Sequence, residues 1–218
     1  MNQPDQPEGR VILIDKPLEW TSFDVVKKLK YKHDVKKIGH AGTLDPLATG
    51  LLILCTGKKT KTIESIQSQE KEYEGTLILG QTTASYDLES EPTAPLDISH
   101  ITETDIHEAT KAFLGEIEQV PPIFSAVKVD GKRAYDKARA GKKFTLRSRR
   151  VQIREFTITR IALPEIHFRV VCSKGTYIRS LANDFGAALG VGAYLSALRR
   201  TRIGDYQIND AETIESVR

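Results

Sequence analysis

Residues 39–50 read Gly39-His40-Ala41-Gly42-Thr43-Leu44-Asp45-Pro46-Leu47-Ala48-Thr49-Gly50. Asp45 is the single carboxylate of the stretch, set among three glycines and one imidazole. Pro46 disfavours helical backbone at Asp45, so the acid is expected in an extended conformation at a defined angle. Gly39, Gly42 and Gly50 permit tight turns and close approach of a ligand to the backbone. The run Leu51-Leu52-Ile53-Leu54-Cys55 then reads as a buried strand that anchors the loop. A lone acid on a rigid loop beside His40 is how an enzyme displays a nucleophile or a base. Asp-Pro among glycines is equally ordinary turn chemistry, so the loop alone leaves catalysis and simple connection both open.

Working outward, Val11 to Ile14 reads as a strand ended by Lys16-Pro17. Thr21 is placed to cap a following helix, with Asp24 completing a capping box and Trp20 and Val25 forming a hydrophobic staple. Val25, Val26 and Leu29 make its buried stripe. Tyr73, Gly75, Leu77 and Leu79 alternate with Glu74, Thr76 and Ile78, the pattern of a long strand ending at Gly80. Thr104 to Leu114 reads as an amphipathic helix with Ile106, Ala109 and Phe113 inward and Gly115 at its end. Ile166, Phe168, Val170 and Cys172 alternate as a further strand, which runs through Ser173-Lys174-Gly175-Thr176 into a helix. That helix carries Ile178, Leu181, Ala182, Phe185 and Leu189 on one side and stops at Gly190. Strands and helices mix without a βαβ rhythm, which predicts an α+β fold with a largely antiparallel sheet.

Residues 1–9 are expected to be a disordered tail. Residues 10–218 are expected to form one domain, interrupted over about 121–150 by an inserted arm rich in Pro, Gly and basic residues. A plain surface excursion accounts for the same composition.

The formal net charge is only +3, but its distribution is uneven. Between Lys132 and Arg150 nine Lys or Arg residues stand against one acid, Asp136. A second cluster holds Lys27, Lys28, Lys30, Lys32, Lys36 and Lys37. One such cluster is usually a solvated face; two, with Arg199, Arg200 and Arg202, point to a polyanionic partner. Cys55 and Cys172 sit in apolar runs without a CxxC spacing, and the five histidines form no HxxxH pair, so no metal site is expected. No dinucleotide fingerprint or P-loop calls for a cofactor. No apolar run reaches the roughly 20 residues needed to cross a bilayer, and the first nine residues lack the apolar core of a signal peptide. The chain is expected to be soluble and cytoplasmic.

The 39–50 string resembles the signature of the TruB family, the tRNA pseudouridine-55 synthases. Further blocks match that family in order: Ile14-Asp15-Lys16-Pro17, Trp20-Thr21-Ser22-Phe23-Asp24, Lys71-Glu72-Tyr73 and Gly80-Gln81-Thr82-Thr83 with Tyr86-Asp87. The series continues with Gln119-Val120-Pro121-Pro122, Phe124-Ser125-Ala126 with Lys128, Gly131 and Lys132, then Cys172 to Ser180, and last Leu198-Arg199-Arg200. The chain departs from the family at residue 84, where Ala replaces an Asp common among relatives, and with so little sequence after Ile214 it is expected to be a short form lacking the C-terminal PUA-type domain of many bacterial members.

The resemblance implies the pseudouridine synthase fold, a central mixed, mostly antiparallel sheet with flanking helices, and an arm that serves as an RNA-binding thumb. It implies isomerisation of uridine to pseudouridine at position 55 in the T-arm loop of tRNA, without a cofactor, a membrane or an obligate protein partner. By the same resemblance Asp45 is the catalytic carboxylate. A carboxylate in a dry pocket tends to take up a proton, so a cationic partner is required; the resemblance makes it Arg179. Read by spacing alone, Arg179 is a surface arginine in the first turn of a helix. The family's active-site tyrosine matches Tyr73, otherwise a core-facing strand tyrosine. His40 corresponds to the residue beside the flipped-out nucleotide, Tyr177 to a pocket wall, and Leu198 to the pocket floor or else a helix-core leucine. Lys16 and Pro17 are expected to brace the floor of the site. The basic arm and the Lys27–Lys37 segment would contact phosphates. Two alternatives differ in class: an RNA-folding chaperone that binds the T-arm, and a relative of the guide-RNA-dependent pseudouridine synthases. A glycoside hydrolase would need a second carboxylate about 5–9 Å from Asp45, for which no nearby acid offers itself.

Overall fold

The computed structural model describes residues 8–125, 127–129, 131–141 and 144–217. Residues 1–7 of the expected tail, Ala126, and Lys142 and Lys143 of the basic run lie outside these. In chain order the elements are β1 (Val11–Lys16), α1 (Ser22–Lys32), β2 (Ile38–His40), β3 (Ala48–Thr56), α2 (Ile63–Ser68), β4 (Lys71–Leu79), α3 (Glu103–Lys111) and β5 (Gly115–Gln119). There follow β6 (Lys128–Val129), β7 (Lys132–Arg133), α4 (Ala134–Arg139), β8 (Arg149–Ala162), β9 (Glu165–Cys172), α5 (Ile178–Ala188), β10 (Ala193–Ile203) and β11 (Tyr206–Gln207). The chain divides into two compact units, one of residues 1–74 and 197–218 and one of residues 75–196. It passes between them inside two strands, β4 and β10.

In the first unit β3 is the central strand. It pairs antiparallel with β1, from Val11 opposite Cys55 to Lys16 opposite Gly50, and antiparallel with β2. On its N-terminal half it pairs in parallel with β10, Leu198 opposite Ala48 and Arg200 opposite Gly50. Neighbours on every side explain why β3 reads as a continuous apolar run and is buried almost throughout. Leu51, Ile53 and Cys55 pack with Ala41, Ile66 and Ile203, and Val11 and Leu13 of β1 close over them. The other face of β1 buries Ile12, Ile14 and Lys16. The strand therefore runs two residues past Ile14, and its alternation carries a lysine to the inside. Glu8 and Gly9 already have fixed neighbours: Glu8 meets Lys58 at 2.6 Å, and Gly9 lies against the Thr56 carbonyl.

Helix α1 begins as its sequence predicts. Thr21 Oγ1 accepts the Asp24 amide at 3.0 Å and Asp24 accepts the Thr21 amide at 3.0 Å, satisfying two donors that a helix start leaves open. The same reciprocal pair, Thr102 with Asp105, starts α3 at Glu103. That helix ends at Lys111, and Gly115 opens β5 instead of closing the helix, its φ of 88° serving the turn between them.

The second unit is built on antiparallel pairs of β9 with β8 and β8 with β5. Phe156 of β8 meets Phe168 of β9, Phe185 of α5 and Phe113 edge-on, with ring centroids 5.4–6.2 Å apart. Such contacts add about 1 kcal/mol each beyond area burial. Gln119 of β5 lies opposite Arg149 of β8, so residues 120–148 leave and rejoin a paired ladder as an insertion holding the β6–β7 hairpin and α4. The architecture is α+β with mostly antiparallel pairing. Among the described residues no helix is long and apolar enough to cross a membrane.

Gly50 lies where a side chain has no room. Its φ is 98°, and a Cβ would sit 2.3 Å from the Arg200 carbonyl oxygen. Gly50→Ala is expected to cost about 3 kcal/mol. Gly190→Ala, with φ 74° but open space around it, should cost about 1 kcal/mol. Denaturant midpoints of the two variants against wild type measure the difference.

Candidate active site

The segment between β2 and β3 is braced by three side chains of the first unit. Ser22 Oγ accepts the Leu44 amide at 2.9 Å and donates to the Leu44 carbonyl at 3.2 Å. Lys16 Nζ donates to the carbonyls of Trp20, Pro17 and Pro46 at 2.6, 2.9 and 3.3 Å. Arg200 donates through Nε to Leu51 at 2.8 Å, through Nη2 to Gly42 at 3.1 Å and through Nη1 to Thr43 at 3.3 Å. Both cations are fully buried. Between these braces Asp45 is half-buried, and its carbonyl accepts the Ala48 amide at 3.0 Å to close the turn.

The buried charges interact. Burial pushes the Lys16 ammonium down to about 8, the Asp45 carboxylate works in the opposite direction, and the Arg200 cation adds to the lowering. The loop thus carries its acid within the field of a buried ammonium. His40 closes β2 with Nδ1 buried and without a hydrogen-bond partner among the described residues. Burial holds this imidazole below its ordinary value; the Gly42 backbone opposes that and Arg200 reinforces it. At neutral pH His40 is therefore uncharged.

Tyr73 lies on the buried face of β4. Leu198 is partly buried on β10, not in a helix, and its register opposite Ala48 sets it beside the exit of the Asp45 turn. Arg199 and Arg202 are already matched by acids. Arg199 forms a two-pronged pair with Asp15 at 2.6 and 3.0 Å, and Arg202 reaches Glu70 at 3.1 Å and Glu72 at 3.7 Å. With Arg200 buried on backbone carbonyls, all three arginines of this cluster are engaged within the fold, and Arg199 stays partly exposed.

In the second unit Tyr177 and Arg179 begin α5. The whole first turn is buried, so Arg179 is only 5% exposed, contrary to the surface position that spacing alone suggests. Its Nη1 donates to the Ser85 carbonyl at 3.2 Å, its Nη2 to the Phe124 carbonyl at 3.1 Å, and its Nε lies 3.5 Å from Asp87 Oδ2. Asp87 is equally buried and accepts the Glu89 amide at 3.0 Å. The Gln119 side-chain amide bonds both backbone groups of Tyr177, at 2.8 and 3.1 Å, and Ser180 Oγ donates to the Val120 carbonyl at 2.8 Å. The start of α5 is thereby stitched to the root of the insertion. The Arg149 guanidinium lies 5.1 Å from the Tyr177 ring centre. Reading by residue type did not assign roles to Gln119 or Asp87, although both stand in the matched blocks. Among the described residues no group of three or more His, Cys, Asp or Glu converges as a metal would require.

The sequence model described as "TruB family pseudouridylate synthase (N terminal domain)" matches residues 29–178, and the "tRNA pseudouridylate synthase B C-terminal domain" matches residues 179–218. The chain belongs to the TruB family. A tRNA pseudouridine synthase B of Flavobacterium johnsoniae is 60% identical over 97% of this chain and 95% of that protein. One from Phocaeicola vulgatus is 56% identical over 96% of this chain and 92% of its own length. Among solved structures, an H/ACA RNP bound to a substrate RNA containing 2'-deoxyuridine is similar with a TM-score of 0.71 at 30% identity. The likeness covers 94% of this chain and 51% of that one. The expected fold class stands on this likeness as well as on the strand pairing.

Two outcomes test the electrostatics of this TruB member. The folded value of Lys16 is lowered, so below about pH 8 both folded and unfolded chains hold the proton and the cost of the buried charge is full. Between about 8 and the ordinary 10.5 only the unfolded chain holds it, and stability rises with pH. Wild type should gain up to about 3 kcal/mol over Lys16→Met across that window, read from urea unfolding at pH 7.5 and 10. In the second unit, Asp87→Asn removes the buried carboxylate that lies 3.5 Å from the Arg179 guanidinium. A loss of about 3 kcal/mol is expected by the same assay.

Proposed function

We propose that this chain converts uridine to pseudouridine at position 55 in the T-arm loop of tRNA in the cytoplasm, with Asp45 as the attacking carboxylate. The observation that carries the reading is the bracing of the Asp45 turn by Lys16, Ser22 and Arg200, which come from three separate segments of the chain. Rigid display of one acid suits covalent catalysis at a glycosidic carbon or on the base. The reaction breaks the N1–C1′ bond of uridine, turns the freed uracil and joins C5 to C1′; C5 gives up its proton and N1 takes one up. Atoms and electrons balance without an oxidant, reductant or second substrate.

The base has to leave its stack, at a cost of a few kcal/mol, before the acid can reach it. In this reading His40 holds the displaced loop as a neutral ring and Tyr73 lies against the base. Tyr177 and Leu198 line its pocket, and Arg179 supplies the cation that offsets the charge of Asp45. The insertion at 120–148 clasps the RNA. The tRNA assignment is supported by relatives at 56–60% identity that bear the name tRNA pseudouridine synthase B. The likeness to a protein of an H/ACA RNP is at 30% identity, which favours the stand-alone tRNA enzyme over a guide-RNA-dependent one.

A tRNA transcript carrying tritium at C5 of uridine tests the proposal. Wild type should release tritium, Asp45→Asn should lose at least a thousandfold in rate while still binding the transcript, and cytidine at position 55 should abolish release. A folded wild-type protein that binds the transcript and releases nothing contradicts the reading.

A further inference from the structure

Helix α1 buries Ser22, Val25 and Leu29 and turns its opposite face outward. On that outer face Phe23, Lys27, Lys30 and Tyr31 follow one another at helical spacing. Phe23 is 69% and Tyr31 77% exposed, the most exposed large hydrophobic side chains among the described residues. Lys27 and Lys30 between them are exposed, as are Lys28, Lys36 and Lys37 nearby. Lys32 is set apart, because its ammonium bonds the Ile214 and Glu215 carbonyls at 3.0 and 2.7 Å. The acids of this segment are Asp24 and Asp34; Asp24 is engaged in the capping box.

Two aromatic rings standing in water at either end of a lysine pair serve neither the core nor the helix. We propose that this face binds an unpaired stretch of RNA outside the target loop, with bases stacked on Phe23 and Tyr31 and phosphates on Lys27 and Lys30. Positive charge selects a polyanion, and exposed rings select one whose bases are unpaired, since a duplex hides its π-faces within the stack. The rings are eight residues apart, roughly 12 Å along the helix, which leaves room for two separately stacked bases. The inference rests on RNA being the substrate class and adds a contact surface to it.

Filter binding of the tRNA transcript as a function of salt tests the proposal, using wild type, Phe23→Ala/Tyr31→Ala, Phe23→Leu/Tyr31→Leu and Lys27→Ala/Lys30→Ala. All four substituted side chains are exposed, and circular dichroism verifies the fold. Loss of two stacks should weaken binding about thirtyfold in the alanine variant, and the leucine variant should not recover it. The lysine variant should bind more weakly and lose about 1.4 from the slope of log affinity against log salt. A fully paired RNA of equal length should bind the aromatic variants as it binds wild type. Wild-type affinity in the aromatic variants, or full rescue by leucine, overturns the inference, assigns the face to another protein and leaves the tRNA reading intact. Failure of wild type to bind the transcript at all instead overturns the tRNA reading, and this inference with it.

Discussion

The first unit depends on two buried cations that bond backbone, not carboxylates. Arg200 reaches three carbonyls of the 42–51 segment, and Lys16 reaches the Pro46 carbonyl together with two at its own strand's end. A turn whose carbonyls point inward would lose several kcal/mol if those groups were buried unbonded. The cations satisfy them, and the Asp45 carboxylate opposes, without cancelling, the desolvation of the Lys16 ammonium. The arrangement converts a glycine-rich turn, flexible by composition, into a fixed platform for one carboxylate.

The parallel register of β10 with β3 makes this possible. With Arg200 opposite Gly50, its guanidinium points back along the loop, and the absence of a side chain at Gly50 lets the two backbones approach. The same strand sets Leu198 beside the Asp45 turn and hands Arg199 to Asp15 on β1 and Arg202 to Glu72 on β4 and Glu70 just before it. One strand thus supplies a brace, a partly buried leucine beside the Asp45 turn and two ion-paired arginines. In the second unit a comparable economy appears at α5, whose first turn is tied through Gln119, Val120 and Phe124 to the insertion that leaves β5.

Much of this was legible from local patterns. The Thr21–Asp24 capping box, the apolar run of β3 and the stop of α5 at Gly190 follow from chemistry within a few residues. What escaped local reading depends on residues far apart in the chain. Lys16 continues the Ile12, Ile14 alternation inward, yet a lysine reads as a strand's end until its three carbonyl partners are known. Arg179 reads as a surface residue because its counter-ion, Asp87, lies on a distant loop. Arg199 and Arg202 inflate the apparent basic surface because Asp15, Glu70 and Glu72 meet them only in the folded sheet. Leu198 belongs to a strand whose alternation is broken by those same arginines.

The buried braces hold the turn rigid, and the proposed catalysis by Asp45 depends on that rigidity. Amide hydrogen exchange over residues 41–48, measured alongside single-turnover pseudouridine formation in wild type and Arg200→Lys, tests it most directly. A lysine keeps the charge but cannot reproduce three guanidinium contacts. Loosening the brace should give faster exchange at Ala41, Leu44 and Ala48, a parallel fall in rate, and unchanged protection in β8 and β9. A wild-type rate in a variant whose turn exchanges freely would contradict the dependence on rigidity.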